Sequence, residues 1–188
     1  MLLTGLLVAF LVVATITDLR EHKIYNKTTY PGIAVGLIAQ AWQGFLQNSW
    51  LGFWTGLQEG LFGFLVCGFI MLFCFVLFNV GGGDVKLLAM MGAFLGLEQG
   101  IEALLWTFVL GAVMGAAMLI WKFGLLNLLG NTFKHLRLIF RVRGWVPLTE
   151  EEREPLKRWL FLAPSALMAV LIMAAEREFH FLNRMFSA

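Results

Sequence analysis

Charged side chains are scarce in this chain of 188 residues. They make up 14% of the sequence, against roughly 25% in an ordinary soluble domain. Hydrophobic residues make up 60%, and a soluble fold of this length has too little interior to bury so much apolar surface. The composition therefore excludes an ordinary soluble globular protein and favours the lipid bilayer as the solvent. Membrane lipids are the expected surroundings, and no nucleic-acid partner is predicted.

Cysteine and early basic residues are also nearly missing. The two cysteines, Cys67 and Cys74, lie inside one apolar run, so we predict no disulfide framework, no metal site and no cofactor. They are expected to pack as small hydrophobic side chains. No basic residue precedes Arg20, whereas a secretory signal begins with a positive segment. The first apolar run is therefore predicted to be a retained membrane helix.

Long apolar runs predict an all-α, polytopic membrane protein, because a spanning helix needs about 20 mostly apolar residues. We expect one transmembrane domain over residues 1–188. Its segment 84–97 is short for a full crossing and follows a glycine turn, so we expect it to begin below the membrane surface. About six spans are predicted, with a loop at residues 122–158: 1–17, 31–46, 60–80, 84–97, 103–121 and 159–175.

Lysine and arginine set the expected orientation, since they accumulate in cytoplasmic loops. They occur in the connections 18–30 and 122–158 and are missing near 47–58 and 98–102. We therefore predict an inner-membrane, multi-pass protein with its N-terminus outside. The loop at 122–158 is either an amphipathic helix on the inner leaflet or a solvated basic loop.

Aspartate occurs at only two positions, Asp18 and Asp84. Asp18 ends the first predicted span and Asp84 begins the fourth, which puts both on the cytoplasmic side at similar depth. Carboxylates at membrane depth are costly and usually carry function. Two carboxylates that share a site do not both ionise easily, so an acid and a base can coexist near neutral pH. The alternative is two independent helix-end aspartates, which for Asp84 the helix dipole would favour.

The residues around both aspartates form two motifs. The first is Asp18-Leu19-Arg20 followed by Ile24-Tyr25-Asn26, and the second runs from Gly81 to Leu87 as G-G-G-D-V-K-L. Together they resemble the type IV prepilin peptidase family of G-x-G-D intramembrane aspartic proteases. That family has D-x-R and I-P-N after its first catalytic helix and G-x-G-D-x-K-L at the second, and this chain departs from it at Tyr25, where proline is usual.

The resemblance implies that Asp18 and Asp84 are the catalytic pair. Gly81 and Gly83 are expected to let a substrate backbone approach, since glycine permits close contact. Arg20 is expected to hold the substrate or to pair with a lipid phosphate.

Two further motif residues keep two interpretations each. Lys86 is expected to tune the pair or to extend to the interface. Asn26 is expected to cap the second span or to order the site.

The resemblance also implies a reaction and partners. We expect an aspartic endopeptidase that removes the leader from type IV or Flp-type prepilins or pseudopilins at the cytoplasmic face, in pilus assembly or protein secretion. The paired CxxC motifs of the larger, bifunctional relatives are missing, so we expect no N-methylation. Two alternatives stay open: a small proton-coupled transporter, because intramembrane acids also relay protons, and a non-catalytic assembly subunit of a pilus or secretion system.

Overall fold

The computed structural model describes residues 2–21, 23–78, 81–123 and 162–186. These residues are almost entirely helical and contain no β-strand, which confirms the predicted all-α class. They form four helices, which we label in chain order: α1 (Leu2–Glu21), α2 (Asn26–Phe78), α3 (Gly82–Phe123) and α4 (Leu162–Phe186).

The chain divides into two compact units. The first joins Met1–Leu110 to Leu162–Ala188, and the second is Gly111–Phe161. The first unit holds α1, α2, most of α3 and α4. Of the second unit the structure describes residues 111–123, the end of α3. The helix reversals, the core and the cavities described below belong to the first unit.

α2 consists of two helical halves that fold back on each other. Asn48 and Ser49 leave the helical conformation, with φ −144°, ψ 29° and φ 56°, ψ −139°. A methyl group added at Gly44 would collide with the carbonyl oxygen of Gly52. Residues eight apart in a straight helix are separated by about 12 Å. This contact therefore requires the two halves to run side by side, and glycine lets their backbones approach.

α3 is broken in the same way at Gly96, whose φ of 79° favours glycine. Across the break a methyl group on Gly100 would lie 3.1 Å from the Cα of Gly92. The break leaves nearby carbonyl oxygens without helical donors, and a side chain from another helix donates to one of them. The side-chain amide of Gln40 donates to the carbonyl oxygen of Phe94 at 2.8 Å.

The two connections predicted from the charge pattern are shorter in the structure. Residues 50–58 and 98–102 are helical, and the backbone reverses within two residues in α2 and one in α3. Glycines on both sides of each reversal allow so tight a return, because the facing backbones need no room for side chains.

The second half of α2 meets the first half of α3 along a line of small residues, which we call the glycine seam (Gly63, Gly68 and Gly92). A methyl group on Gly63 would collide with the carbonyl oxygen of Gly92, and one on Gly68 would lie 3.3 Å from the Cβ of Ala89. Backbone therefore packs on backbone here, as at close helix contacts in membranes.

The core lies between α1, the second half of α2, α3 and α4. α1 contributes Leu7, Leu11 and Ala14, which recur every three or four residues and so share one helical face. The other core side chains with no exposed surface come from α2, α3 and α4: Cys67, Met71, Leu87, Leu88, Met90, Met91, Ala103, Ala163 and Ala166.

Large apolar side chains also cover the outside. Ile38, Phe69 and Val76 are 68%, 72% and 74% exposed, as expected of a surface that faces lipid. Within the described residues three helices are long and apolar enough to cross a membrane: Leu3–Glu21, Asn26–Leu77 and Gly82–Met118. The predicted span 159–175 begins outside the described residues. Nearly all of the predicted loop 122–158 also lies outside them.

Candidate active site

Asp18 lies at the end of the buried face of α1. It follows Leu11, Ala14 and Thr15 at helical spacing and is only 8% exposed. The pattern that packs α1 into the core therefore also carries a carboxylate to the edge of that core. Burial of this kind restricts the side chain to the space between the helices.

Asp84 lies in the first turn of α3 and is set by a glycine turn. The backbone N–H of Asp84 donates to the carbonyl oxygen of Gly81 at 3.0 Å, and that of Val85 donates to the same oxygen at 3.4 Å. A carboxylate at this position is favoured by the helix dipole. A methyl group on Gly81 would lie 2.8 Å from Oδ2 of Asp84. A larger residue at position 81 would therefore displace this carboxylate.

The other motif glycine, Gly83, lies against the connection between α1 and α2. A methyl group there would lie 2.9 Å from the Cβ of Ile24 and 3.4 Å from its carbonyl oxygen. Gly82, between the two, has no atom within 4 Å of the same added methyl group. Close packing therefore predicts that the first and third positions require glycine and that the middle one does not.

Both aspartates open onto one cavity of about 330 Å³. The two carboxyl groups therefore face the same space, one from the end of α1 and one from the start of α3. The remaining lining residues come from the connection before α2 and the turn before α3: Lys23, Ile24, Tyr25, Asn26, Gly81 and Gly83. Two neighbouring carboxyl groups in a cavity of this size have the composition needed for paired acid and base chemistry.

Lys86 does not line this cavity but ties two helices together beside it. Its ammonium group donates to Oδ1 of Asn26 at 2.8 Å and lies 5.1 Å from the centre of the Tyr30 ring, within the range of a cation–π contact. We call these three residues the lysine clamp. The clamp joins the first turns of α2 and α3, and therefore fixes the connection that faces Asp84.

The clamp predicts a measurable coupling. Asn26→Ala and Lys86→Met should each lower the free energy of unfolding by about 1 kcal/mol, the typical worth of one hydrogen bond. The double variant should lose little more than either single variant, because both remove the same contact. Thermal or denaturant unfolding in detergent measures this, with the exposed Lys27→Met as the control. Losses that simply add would show that the two residues act independently.

Tyr25 supports the same connection. Its hydroxyl group donates to the carboxylate of Glu21, and this bond, together with the carboxylate charge, raises the pKa of the Tyr25 phenol. Its carbonyl oxygen accepts from the N–H groups of Thr28 and Thr29 at 3.0 and 3.3 Å, which satisfies free donors at the start of α2. Tyr25 thus bonds to the end of α1 and to the start of α2, on either side of the turn.

The structure separates the residues proposed from the sequence into two groups. Asp18, Asn26, Gly81, Gly83 and Asp84 line the cavity. Arg20 and Lys86 do not line it: Arg20 is exposed on α1 and Lys86 belongs to the clamp.

Sequence reasoning missed three contributors, Lys23, Tyr25 as a support and Tyr30. Tyr30 had a usable signal, since it lies four residues after Asn26 and so on the same face of α2.

Comparison with known proteins fits this geometry. Residues 5–116 match the sequence model of the type IV leader peptidase family. The chain is also 33% identical, over 85 residues, to the preflagellin peptidase of Methanocaldococcus jannaschii. That match covers 45% of this chain and 34% of the relative, so the chain matches about a third of the relative's length. No solved structure matches. Because the family match spans more than half of the sequence and includes both aspartates with their motifs, this chain belongs to the type IV leader peptidase family.

Proposed function

We propose that this protein is a membrane-embedded aspartic endopeptidase that removes the leader from prepilin-type precursors. The observation that carries the proposal is that its only two aspartates, sixty-six positions apart in the sequence, line one cavity. Family membership supports a leader peptidase, and the preflagellin peptidase relative supports a substrate of the pilin or flagellin type.

The two carboxyl groups divide the chemistry between them. The ionised carboxylate takes a proton from a water molecule, whose oxygen attacks the carbonyl carbon of the scissile peptide bond. The protonated carboxyl group donates its proton to the carbonyl oxygen. When the tetrahedral intermediate collapses, one of its hydroxyl groups returns a proton to the carboxylate that had acted as the acid. The C–N bond breaks, and the leaving nitrogen takes the proton held by the carboxyl group that had acted as the base. Both products leave with the water's atoms shared between them, and the pair returns to its starting state.

We further propose that the chain crosses the inner membrane about six times and opens its site to the cytoplasm. The reversals in α2 and α3 support two crossings in each of these helices, because each half of α2 and the second half of α3 are long and apolar. The basic connection around Lys23 and Lys27 supports a cytoplasmic site. A single peptidase domain over residues 1–188 is part of the same proposal.

Labelling from outside the cell tests this orientation. Asn48→Cys, at the reversal of α2, should react with a membrane-impermeant maleimide in intact cells. Lys27→Cys should react only after the membrane is opened. The wild-type protein is the blank, since Cys67 is fully buried and Cys74 lies in the same apolar helix. Reaction at position 27 in intact cells would reverse the proposed topology.

The proposed substrates are type IV or Flp-type prepilins or pseudopilins, cleaved without N-methylation. Purified protein should be incubated in detergent or nanodiscs with a prepilin precursor and, separately, with a preflagellin precursor. Mass spectrometry of the product is expected to show loss of the leader and an unmodified new N-terminus. A mature product heavier by one CH₂ group would contradict the absence of methylation. Intact precursor in every reaction would contradict the peptidase.

A further inference from the structure

A second and larger cavity lies at the other end of the first unit. We call it the distal cavity; it measures about 420 Å³ and reaches from Thr4 of α1 to Arg177 of α4. Thr4 and Asp18, which line the two cavities, are fourteen positions apart on α1 and therefore about 21 Å apart along its axis. The distal cavity is thus separate from the candidate active site, and cleavage as proposed above does not use it.

Polar side chains from four helices converge on the distal cavity. Gln40, Gln43 and Gln47 recur at helical spacing and share one face of α2. Among the described residues the Gln40 amide donates to Phe94, whereas the Gln43 and Gln47 side chains are exposed at the cavity. The other polar lining residues are Thr4, Thr55, Glu59, Gln99 and Arg177.

The distal cavity holds one side chain of each charge. Glu59 points its carboxylate at the break in α3, where Oε2 lies 3.2 Å from a methyl group built on Gly96. Arg177 comes from α4. Within the described part of the chain no ion pair joins these two residues, and both side chains are exposed. A separated guanidinium and carboxylate complement a zwitterion: guanidinium binds phosphate in two-pronged fashion, and carboxylate binds a primary ammonium group.

Aromatic side chains place this end of the unit at the membrane surface. Trp42 stacks on Phe45 with ring centres 5.9 Å apart, and Trp50 stacks on Phe53 at 5.4 Å. Trp42 and Trp50 are 61% and 65% exposed. Exposed tryptophan collects at the level of the lipid headgroups. Because these residues flank the same reversal of α2 that lines the distal cavity, the cavity opens at headgroup level.

From this combination we infer that the distal cavity binds the headgroup of an ethanolamine phospholipid. Arg177 holds the phosphate, Glu59 holds the ammonium group, and the glutamine amides bond to the remaining phosphate and ester oxygens. The volume of about 420 Å³ falls within the range of roughly 300–1,000 Å³ that small-molecule sites occupy. Apolar Leu3, Phe94 and Leu95 at the same cavity lie where the glycerol and the acyl chains begin.

Native mass spectrometry of the full chain tests the inference without any peptidase assay, so its outcome is independent of the proposed function. The protein is titrated in detergent with phosphatidylethanolamine or with phosphatidylglycerol, which has the phosphate but lacks the ammonium group. We expect one phosphatidylethanolamine to be retained about tenfold more tightly than phosphatidylglycerol, since one charged contact distinguishes them. Equal retention of the two lipids would overturn the inference.

Variants then assign the contacts. Glu59→Gln and Arg177→Gln should each weaken phosphatidylethanolamine binding by about tenfold, and Arg177→Lys should recover part of it. Glu98→Gln is the matched control, because Glu98 is an exposed acid near the same break that does not line the cavity. Unchanged binding in both glutamine variants would overturn the assignment. Displacement of the lipid by equimolar soluble glycerophosphoethanolamine would show that the ligand is the free zwitterion and would overturn a lipid site.

Discussion

Asp84→Asn is expected to abolish leader cleavage, and Asp18→Asn is expected to do the same. Asparagine keeps the shape of the side chain but neither accepts a proton from water nor donates one as an acid. Positioned acid–base groups contribute about 10²–10⁴ in rate, so each variant should lose at least about a hundredfold in the rate of precursor cleavage. The measurement is the initial rate of leader removal in detergent or nanodiscs, at equal amounts of inserted protein.

The control for the aspartate variants is Glu98→Gln, which removes an exposed carboxylate that lines neither cavity. It should cleave at the wild-type rate, and all three variants should unfold at similar temperatures. One alternative to a peptidase makes a different prediction. A non-catalytic assembly subunit would support pilus or secretion assembly with either aspartate replaced. Near-normal cleavage by either variant would remove the paired mechanism.

Alanine at the three consecutive glycines should give sharply different results. Gly81→Ala places a methyl group 2.8 Å from Oδ2 of Asp84, and Gly83→Ala places one 2.9 Å from the Cβ of Ile24. Either contact must displace Asp84 or the facing connection, and misplacement by about 1 Å costs roughly a hundredfold in rate. Gly82→Ala meets nothing within 4 Å and should cleave within about twofold of wild type, since alanine also favours the helix that begins there.

Gly82→Ala is an internal control for the glycine series, because it makes the same chemical change one residue away. Cleavage rates and unfolding temperatures of the three variants should be compared in one preparation. If Gly81→Ala and Gly82→Ala cleave equally well, the turn does not restrain the Asp84 carboxylate. A loss of unfolding temperature in Gly83→Ala alone would locate its effect in the packing of Ile24.

The sequence predicts the helical class and the two motifs because both depend on local patterns. Apolar runs reveal helices that face lipid, and the glycines before Asp84 predict a close backbone approach. The helix reversals are harder to predict from the sequence. The reversal at Gly96 frees the carbonyl oxygen of Phe94, and Gln40, fifty-four residues before Phe94, donates to it. The sequence pattern around Gly96 therefore does not reveal this partner.

The clamp and the distal cavity escape sequence reasoning for the same reason. Lys86 reaches Asn26 across sixty residues of sequence, so its role depends on how α2 and α3 pack. The glutamines of α2 suggest a polar turn when taken alone. They become a binding surface only because α4 brings Arg177 to them and the break in α3 exposes Gln99.

The glycine seam restrains α3, the helix that carries Asp84. Along the seam backbone meets backbone, so there are no side-chain rotamers whose rearrangement would let α3 slide past α2. α1 instead packs through Leu7 and Leu11, flexible side chains that tolerate small shifts of one helix past another. We therefore expect Asp84 to be held more rigidly than Asp18, so that any change in the distance between the two carboxyl groups would come from a shift of α1.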